Sequence, residues 1–392
     1  MTELPVTAHR DDRSTAPDLA ALLHRSHAVV VAHQDPGGAY PAAPTFSAYS
    51  GYAWLRDGSF TAEGISRYGD VASADRFHDW AARVLTDRSA QVADVVAEVA
   101  AGRTPGLDRV LPTRFTLAGA DGSDPWWDFQ TDGYGLWLWA VVEHARRHGL
   151  ALDRWRSGIT VAVDYLGAVW QLSCYDWWEE HVEQRHVSTL GALHAGLHAV
   201  ATVGLLDRAR TATAARVASE ARALVLDHGT TAGRATDPAA PHLAKWLGSG
   251  VVDASLAACV VPFGLVAPGS PLASATLDAV RRDLDVDGGV HRFRADVFYG
   301  GGQWPLLSCL LGWNLAVAGD AVGARRHLDW VTAQANPDGD LPEQVPDDLL
   351  HPEHRAEWLE RWGPVATPLL WSHGMLLILA DVLGLLPETS SR

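Results

Sequence analysis

A chain of 392 residues, 47% hydrophobic and 20% charged, has a globular composition and is long enough to bury a large core. Its 47 acidic residues outnumber 31 basic ones, for a formal net charge of -16, which disfavours nucleic acid or anionic lipid as a partner because both are held by Lys and Arg. No run of about 18 or more apolar residues is present, and Cys174, Cys259 and Cys309 show neither CxxC spacing nor an even framework, so free thiols in a reducing compartment are expected.

Residues 1–15 carry no basic segment leading into an apolar run. They are expected to form a loose tail without an export signal, ahead of one domain at 16–392 in a cytoplasmic protein. Apolar residues then recur at three- and four-residue steps, most plainly from Ala74 to Ala101. The spacing predicts helices at about 17–34, 58–69, 72–101, 132–148, 153–173, 186–204, 207–228, 250–261, 271–284, 302–319, 321–335 and 368–385. Asp207 and Ser270 stand where helix starts are expected, and Gly149, Gly204 and Gly384 where ends are.

Long connections rich in Gly, Pro, Trp and Asp, at 35–57, 102–131, 174–185, 229–249, 285–301 and 336–367, alternate roughly with tight ones. Two concentric rings of helices produce that alternation. The expected fold is all-α, an (α/α)6 toroid of twelve helices with the active site in the long loops at one end.

Those loops hold many of the 17 tryptophans, often beside acids. An aromatic ring next to a carboxylate suits a sugar, whose C–H face packs on the ring while its hydroxyls bond to charged groups. Six segments stand out in order: Tyr52, Trp54, Arg56 and Asp57; Trp126 followed by Gln130 and Asp132; Trp178, Glu179 and Glu180; Arg292 and Asp296 with Tyr299 and Trp304; Glu343 and Gln344; and Trp371. In this order the chain resembles the glucoamylases, glycoside hydrolase family 15, over nearly the whole catalytic domain. The resemblance implies that Arg56 and Asp57 grip the terminal, non-reducing glucose, that Trp126 contacts the acid, and that Tyr52, Trp54, Asp132, Trp178, Glu180, Arg292, Asp296, Tyr299, Trp304, Gln344 and Trp371 complete the substrate site. It makes Glu179 the general acid and Glu343 the general base. Glu180 contacts the next sugar in some relatives and has no acidic counterpart in others.

The chemistry of the residues agrees. Glycoside hydrolysis by inversion needs one protonated and one ionised carboxyl with space for water between them. Glu179, between Trp178 and Glu180, is favoured in its protonated form by desolvation and a like charge. Glu343, after Pro342 in a polar loop, is expected to stay ionised and orient water.

No cofactor or metal is expected. His194 and His198 have metal-ligand spacing but lie on what reads as a packed helix face, and the run Gly300 to Gly302 lacks the Lys-Ser/Thr of a phosphate loop. The expected partner is a neutral oligosaccharide, and the oligomeric state is not indicated. A β-sandwich and a starch-binding module, present in many relatives, are missing from the chain, so the resemblance implies an exo-acting, inverting glucosidase for short α-1,6-linked substrates such as isomaltose. An α-1,4 glucosidase, a trehalase, a disaccharide phosphorylase and a non-catalytic sugar-binding toroid are the alternatives. The phosphorylase would lack the base, and the binding toroid would have lost one carboxylate.

Overall fold

The computed structural model describes residues 18–231 and 241–387, and the expected tail at 1–15 lies outside them. Thirteen α-helices are formed among the described residues: α1 Leu19–His33, α2 Leu55–Tyr68, α3 Val71–Asp87, α4 Ser89–Ala100, α5 Asp132–His148, α6 Arg156–Val169, α7 Val187–Thr202, α8 Arg208–His228, α9 Pro271–Leu284, α10 Pro305–Val317, α11 Ala321–Ala333, α12 Arg355–Trp362 and α13 Leu370–Val382. Strand β1, Tyr52–Trp54, pairs antiparallel with β2, Arg114–Thr116, so that Trp54 stands opposite Arg114. A second small hairpin joins β3, Asp285–Val286, to β4, Gly289–Val290.

The helices close into two rings. Helices α2, α5 and α7, the 3-10 helix Ala254–Cys259, α10 and α13 touch one another in that order, and α13 returns to α2. Outside them α1 packs on α13, α3 on α2, α8 on α7, α9 on the 3-10 helix and α11 on α10, while α6 bridges α3 and α8. This is the (α/α)6 toroid. Inner helices are surrounded by protein, which is why α2, α10 and α13 are buried almost throughout, whereas α8 buries one stripe, Ala214, Val217, Ala218, Ala221 and Val225.

Two inner crossings depend on glycine. A Cβ on Gly64 of α2 would lie 2.3 Å from the Gly374 carbonyl oxygen of α13, and one on Gly196 of α7 would lie 2.1 Å from that of Gly135 on α5. Only bare backbone fits at such distances.

Four expected elements differ. The helix expected at 72–101 breaks at Arg88, whose backbone leaves helical geometry (φ -100°, ψ 12°) while its guanidinium bonds to the Gly119 carbonyl. The expected helix at 250–261 is the 3-10 helix Ala254–Cys259, capped by the Asp253 carboxylate on Ser255 N, yet it fills the sixth place of the inner ring. Helix α2 begins at Leu55, so Arg56 and Asp57 lie in its first turn rather than in a loop. Helix α12 was not expected, because none of its residues is buried and its apolar spacing is therefore weak.

Each long connection precedes an inner-ring element, so their described residues lead into the N-terminal ends of the inner ring. That end carries a cavity lined by aromatic and charged side chains.

Candidate active site

The cavity is walled by Trp54, Trp126, Trp127, Trp177, Trp178, Trp304, Trp358, Trp362 and Trp371, with Tyr49 and Phe298. Arg56, Asp57, Glu179, Glu180, Arg292 and Glu343 supply its polar groups. Charged groups thus face the space while indole rings shape it, the combination a polyhydroxylated ring requires.

Arg56 is 6% exposed and donates to Gln130 Oε1 at 2.8 Å. Its guanidinium lies 3.4 Å from Asp57, 3.7 Å from Asp132 and 3.7 Å from Glu179. Glu179 accepts the Trp54 indole N–H at 2.7 Å. Burial pushes the Glu179 carboxyl up to about 7 against the pull of Arg56 and of the Trp54 bond, and burial likewise raises Asp57 to about 6 despite Arg56. The Glu180 carboxyl, 3.5 Å from Arg292, is raised by burial to about 7.

Glu343 enters from the segment before α13, its N–H donating to the Ala366 carbonyl at 2.9 Å. It is buried. Its Oε1 accepts the Tyr49 hydroxyl at 3.3 Å, and burial lifts it to about 8, opposed chiefly by Arg292. The expectation that a polar loop keeps Glu343 ionised meets an opposing effect: the residues around it are polar in sequence, but the fold buries the carboxyl and raises its proton affinity, as it does that of Glu179.

Several polar atoms around the cavity are buried without a hydrogen-bond partner: Glu343 Oε2 and the indole nitrogens of Trp177, Trp304 and Trp371, while Arg56 Nε and Asp57 Oδ2 meet only each other, at 3.4 Å. Buried polar atoms are nearly always satisfied in a folded protein, so a cluster of orphans points to a ligand rich in hydroxyl groups.

Of the sequence-predicted residues, Trp54, Arg56, Asp57, Trp126, Trp178, Glu179, Glu180, Arg292, Trp304, Glu343 and Trp371 line this cavity. Five others stand outside it. Tyr52 has its ring 3.7 Å from the Arg114 guanidinium and its hydroxyl bonded to Asp124. Asp132 stands behind Arg56, and Asp296 behind Arg292, whose Nε donates to it at 2.7 Å. Gln344 accepts from Gly302 N at 2.9 Å, and Tyr299 donates to the Gly363 carbonyl at 3.0 Å. These four carboxyl, amide and phenol groups brace the loops that the wall residues stand on.

Sequence reasoning missed Tyr49, Trp127, Trp177, Phe298, Trp358 and Trp362 in the wall, and Arg114 behind it. Arg114 is sandwiched 3.7 Å from the ring centres of both Tyr52 and Trp126, which fixes the ring beside Glu179. Its pairing opposite Trp54 in the two-stranded ladder was invisible without the fold.

Among the described residues no group of three or more His, Cys, Asp or Glu could hold a metal ion. The His194 and His198 rings stack at 5.8 Å, and His194 Nδ1 is taken by the Ala218 carbonyl at 2.9 Å. Cys174, Cys259 and Cys309 are free and buried, and no helix of the described residues is long and apolar enough to cross a membrane.

Two carboxyls in a tryptophan-walled cavity at the loop end of a helical toroid define a glycoside hydrolase. The model of Glycosyl hydrolases family 15 matches residues 16–358, and the chain belongs to that family. It is 66% identical to an isomaltose glucohydrolase of Kribbella flavida, over 98% of this chain and 99% of that one. A solved wild-type glycosidase, 67% identical, superposes with a TM-score of 0.90 over 94% of this chain and 98% of its own. The glucoamylase of Saccharomycopsis fibuligera, 15% identical, shares the fold with a TM-score of 0.70 over 97% and 98% of the two chains.

Proposed function

We propose that the chain hydrolyses isomaltose and short isomalto-oligosaccharides from the non-reducing end with inversion, with Glu179 as general acid and Glu343 as general base. The observation that carries the chemistry is that these two carboxyls, Glu343 buried and Glu179 largely so, share one aromatic-walled cavity in which several buried polar atoms have no hydrogen-bond partner. Glu179 gives its proton to the glycosidic oxygen as the bond from C1 breaks. Water held by Glu343 forms the new bond to C1 from the opposite face and gives its proton to Glu343, so β-glucose leaves. Arg56 and Asp57 hold hydroxyls of the glucose being released, and Tyr49 orients Glu343.

The linkage is supported by the 66% identity to a protein named isomaltose glucohydrolase. The acid and base are assigned by place along the chain, not by proton affinity. Burial raises both carboxyls, Glu179 to about 7 and Glu343 to about 8, so a state in which the pair holds a single proton is populated near neutral pH, as acid and base catalysis by two carboxyls requires.

The contiguous buried core supports one domain for residues 16–392, and three free thiols fit the reducing cytoplasm.

Anomer-resolved proton NMR of isomaltose hydrolysis tests the mechanism. β-Glucose should appear first, and initial α-glucose would mean a retaining double displacement and overturn the assignment. A kcat/KM for maltose equal to that for isomaltose would overturn the linkage.

A further inference from the structure

We infer that Lys245 is a positioning residue for Glu179, acting through Asp176 and Asp253; the inference rests on the reading of Glu179 as the acid. Lys245 does not line the cavity and is 2% exposed. Its Nζ lies 2.8 Å from Asp176 Oδ2 and 2.6 Å from Asp253 Oδ2, and 3.7 Å from the centre of the Phe293 ring. One buried cation therefore joins two buried carboxylates from separate segments, Asp176 within the loop that carries Glu179 and Asp253 at the start of the 3-10 helix.

Both carboxylates are spent on that loop. Asp176 Oδ1 accepts the backbone N–H of Trp178 and of Glu180, each at 2.9 Å, and the Asp176 carbonyl accepts the N–H of Glu179 at 3.0 Å. Three consecutive amides thus converge on one residue. Asp253 accepts the Trp178 indole N–H at 2.9 Å and anchors the start of the 3-10 helix through Ser255 N. Trp178 is in this way held by its backbone from one carboxylate and by its ring from the other, with Lys245 between them.

Glu179 itself has φ 64°, in the left-handed region that a residue with a Cβ enters only at a cost. The converging bonds hold it there and aim its carboxyl at the Trp54 indole and at the cavity. Without Lys245, Asp176 and Asp253 would face each other as two buried like charges with no cation to offset them. The loop would relax toward ordinary backbone and carry the acid away from the leaving oxygen, and a displacement of about 1 Å is enough to slow a reaction by ~100-fold.

The effect should therefore fall on steps that need the proton of Glu179 and spare those that do not. The test compares isomaltose, whose leaving group must be protonated, with α-glucosyl fluoride, whose leaving group needs far less help. Lys245→Met is measured with Lys245→Met/Asp253→Asn, which restores the cluster's net charge and keeps an oxygen acceptor for the Trp178 indole. Glu179→Gln runs in parallel. In the Lys245 variants kcat on isomaltose should fall by roughly 10- to 100-fold with KM changed less than about 3-fold, while hydrolysis of the fluoride falls less than about 3-fold.

Parallel loss on both substrates, no loss on either, or loss of the folded circular-dichroism spectrum in both variants would make Lys245 a merely structural group and overturn the inference. Glu179→Gln separates the two readings. If it damages the fluoride reaction as much as the isomaltose reaction, the acid assignment fails; if it spares the fluoride while the Lys245 variants do not, only the positioning role fails.

Discussion

Replacing Glu343 with Gln should stabilise the protein in alkali while abolishing its hydrolytic activity. The carboxyl is buried and its folded-state pKa is raised from the ordinary 4.5 to about 8. A raised pKa means that the folded state binds the proton more tightly than the unfolded chain, so the stability Glu343 contributes is fully present below about pH 4.5 and is lost as pH rises through 8. At 1.36 kcal/mol per pH unit the ionised carboxyl costs the fold about 5 kcal/mol at pH 9 and under about 1 kcal/mol at pH 5. Gln keeps the shape and carries no charge, so it avoids the difference of ~4 kcal/mol between the two conditions. A 392-residue protein has an unfolding entropy near 0.8 kcal/mol/K, about 2.1 cal/mol/K per residue, so the Tm advantage of Glu343→Gln should be about 5 °C larger at pH 9 than at pH 5. Thermal unfolding of both proteins followed by circular dichroism at the two pH values reads this directly. An advantage independent of pH would mean that Glu343 titrates in the folded protein as it does in the unfolded chain, and an advantage that shrinks in alkali would mean that the fold prefers the ionised form.

The same two carboxyls set the pH–rate profile: below the lower limb both are protonated and no base remains, above the upper limb both are ionised and no acid remains. The kcat/KM profile for isomaltose between pH 4 and 10 should thus be bell-shaped, with limbs near 7 and 8, and an acidic limb at the ordinary carboxylate value would contradict the burial argument. In the ring, Gly196→Ala should drive a Cβ into the Gly135 carbonyl and cost about 1–3 kcal/mol, a Tm drop of roughly 1–4 °C. An unchanged Tm would show that α5 and α7 separate freely.

The toroid was legible because burying one stripe of every outer helix and most of every inner helix writes a three- and four-residue rhythm into the chain. What broke the rhythm was not. Arg88 reads as one more helical residue, and only the Gly119 carbonyl and the Asp121 carboxylate that its side chain meets explain the break. The polar helix α12 looked like loop, although Trp358 and Trp362 use it to reach the cavity. Within the site, acids beside tryptophans were conspicuous, whereas Tyr49 has no charged neighbour in sequence and meets Glu343 only across 294 positions of chain. Tyr52 stands off the wall for a geometric reason. It shares a face of β1 with Trp54, but two residues of strand place it about 6.6 Å further along, far enough to pass from the cavity wall to the stack under Arg114.

The cavity combines features that oppose one another. Arg56 and Arg292 both pull neighbouring carboxyls toward ionisation, and Asp57 lies in the first turn of α2, where the helix dipole also favours the charged form. Yet Asp57, Glu179, Glu180 and Glu343 all titrate above their ordinary values, because desolvation by the indole walls outweighs the cations. Exposing these groups to water would relieve the penalty and with it the protonation that an acid needs near neutral pH. The arrangement persists because it is fastened from outside the cavity, by Asp132 on Arg56, Asp296 on Arg292, Arg114 on Trp126 and the Lys245 cluster under Trp178. Substitutions in the supports should therefore alter proton affinity at Glu179 and Glu343 without touching substrate, whereas substitutions in the wall should alter both.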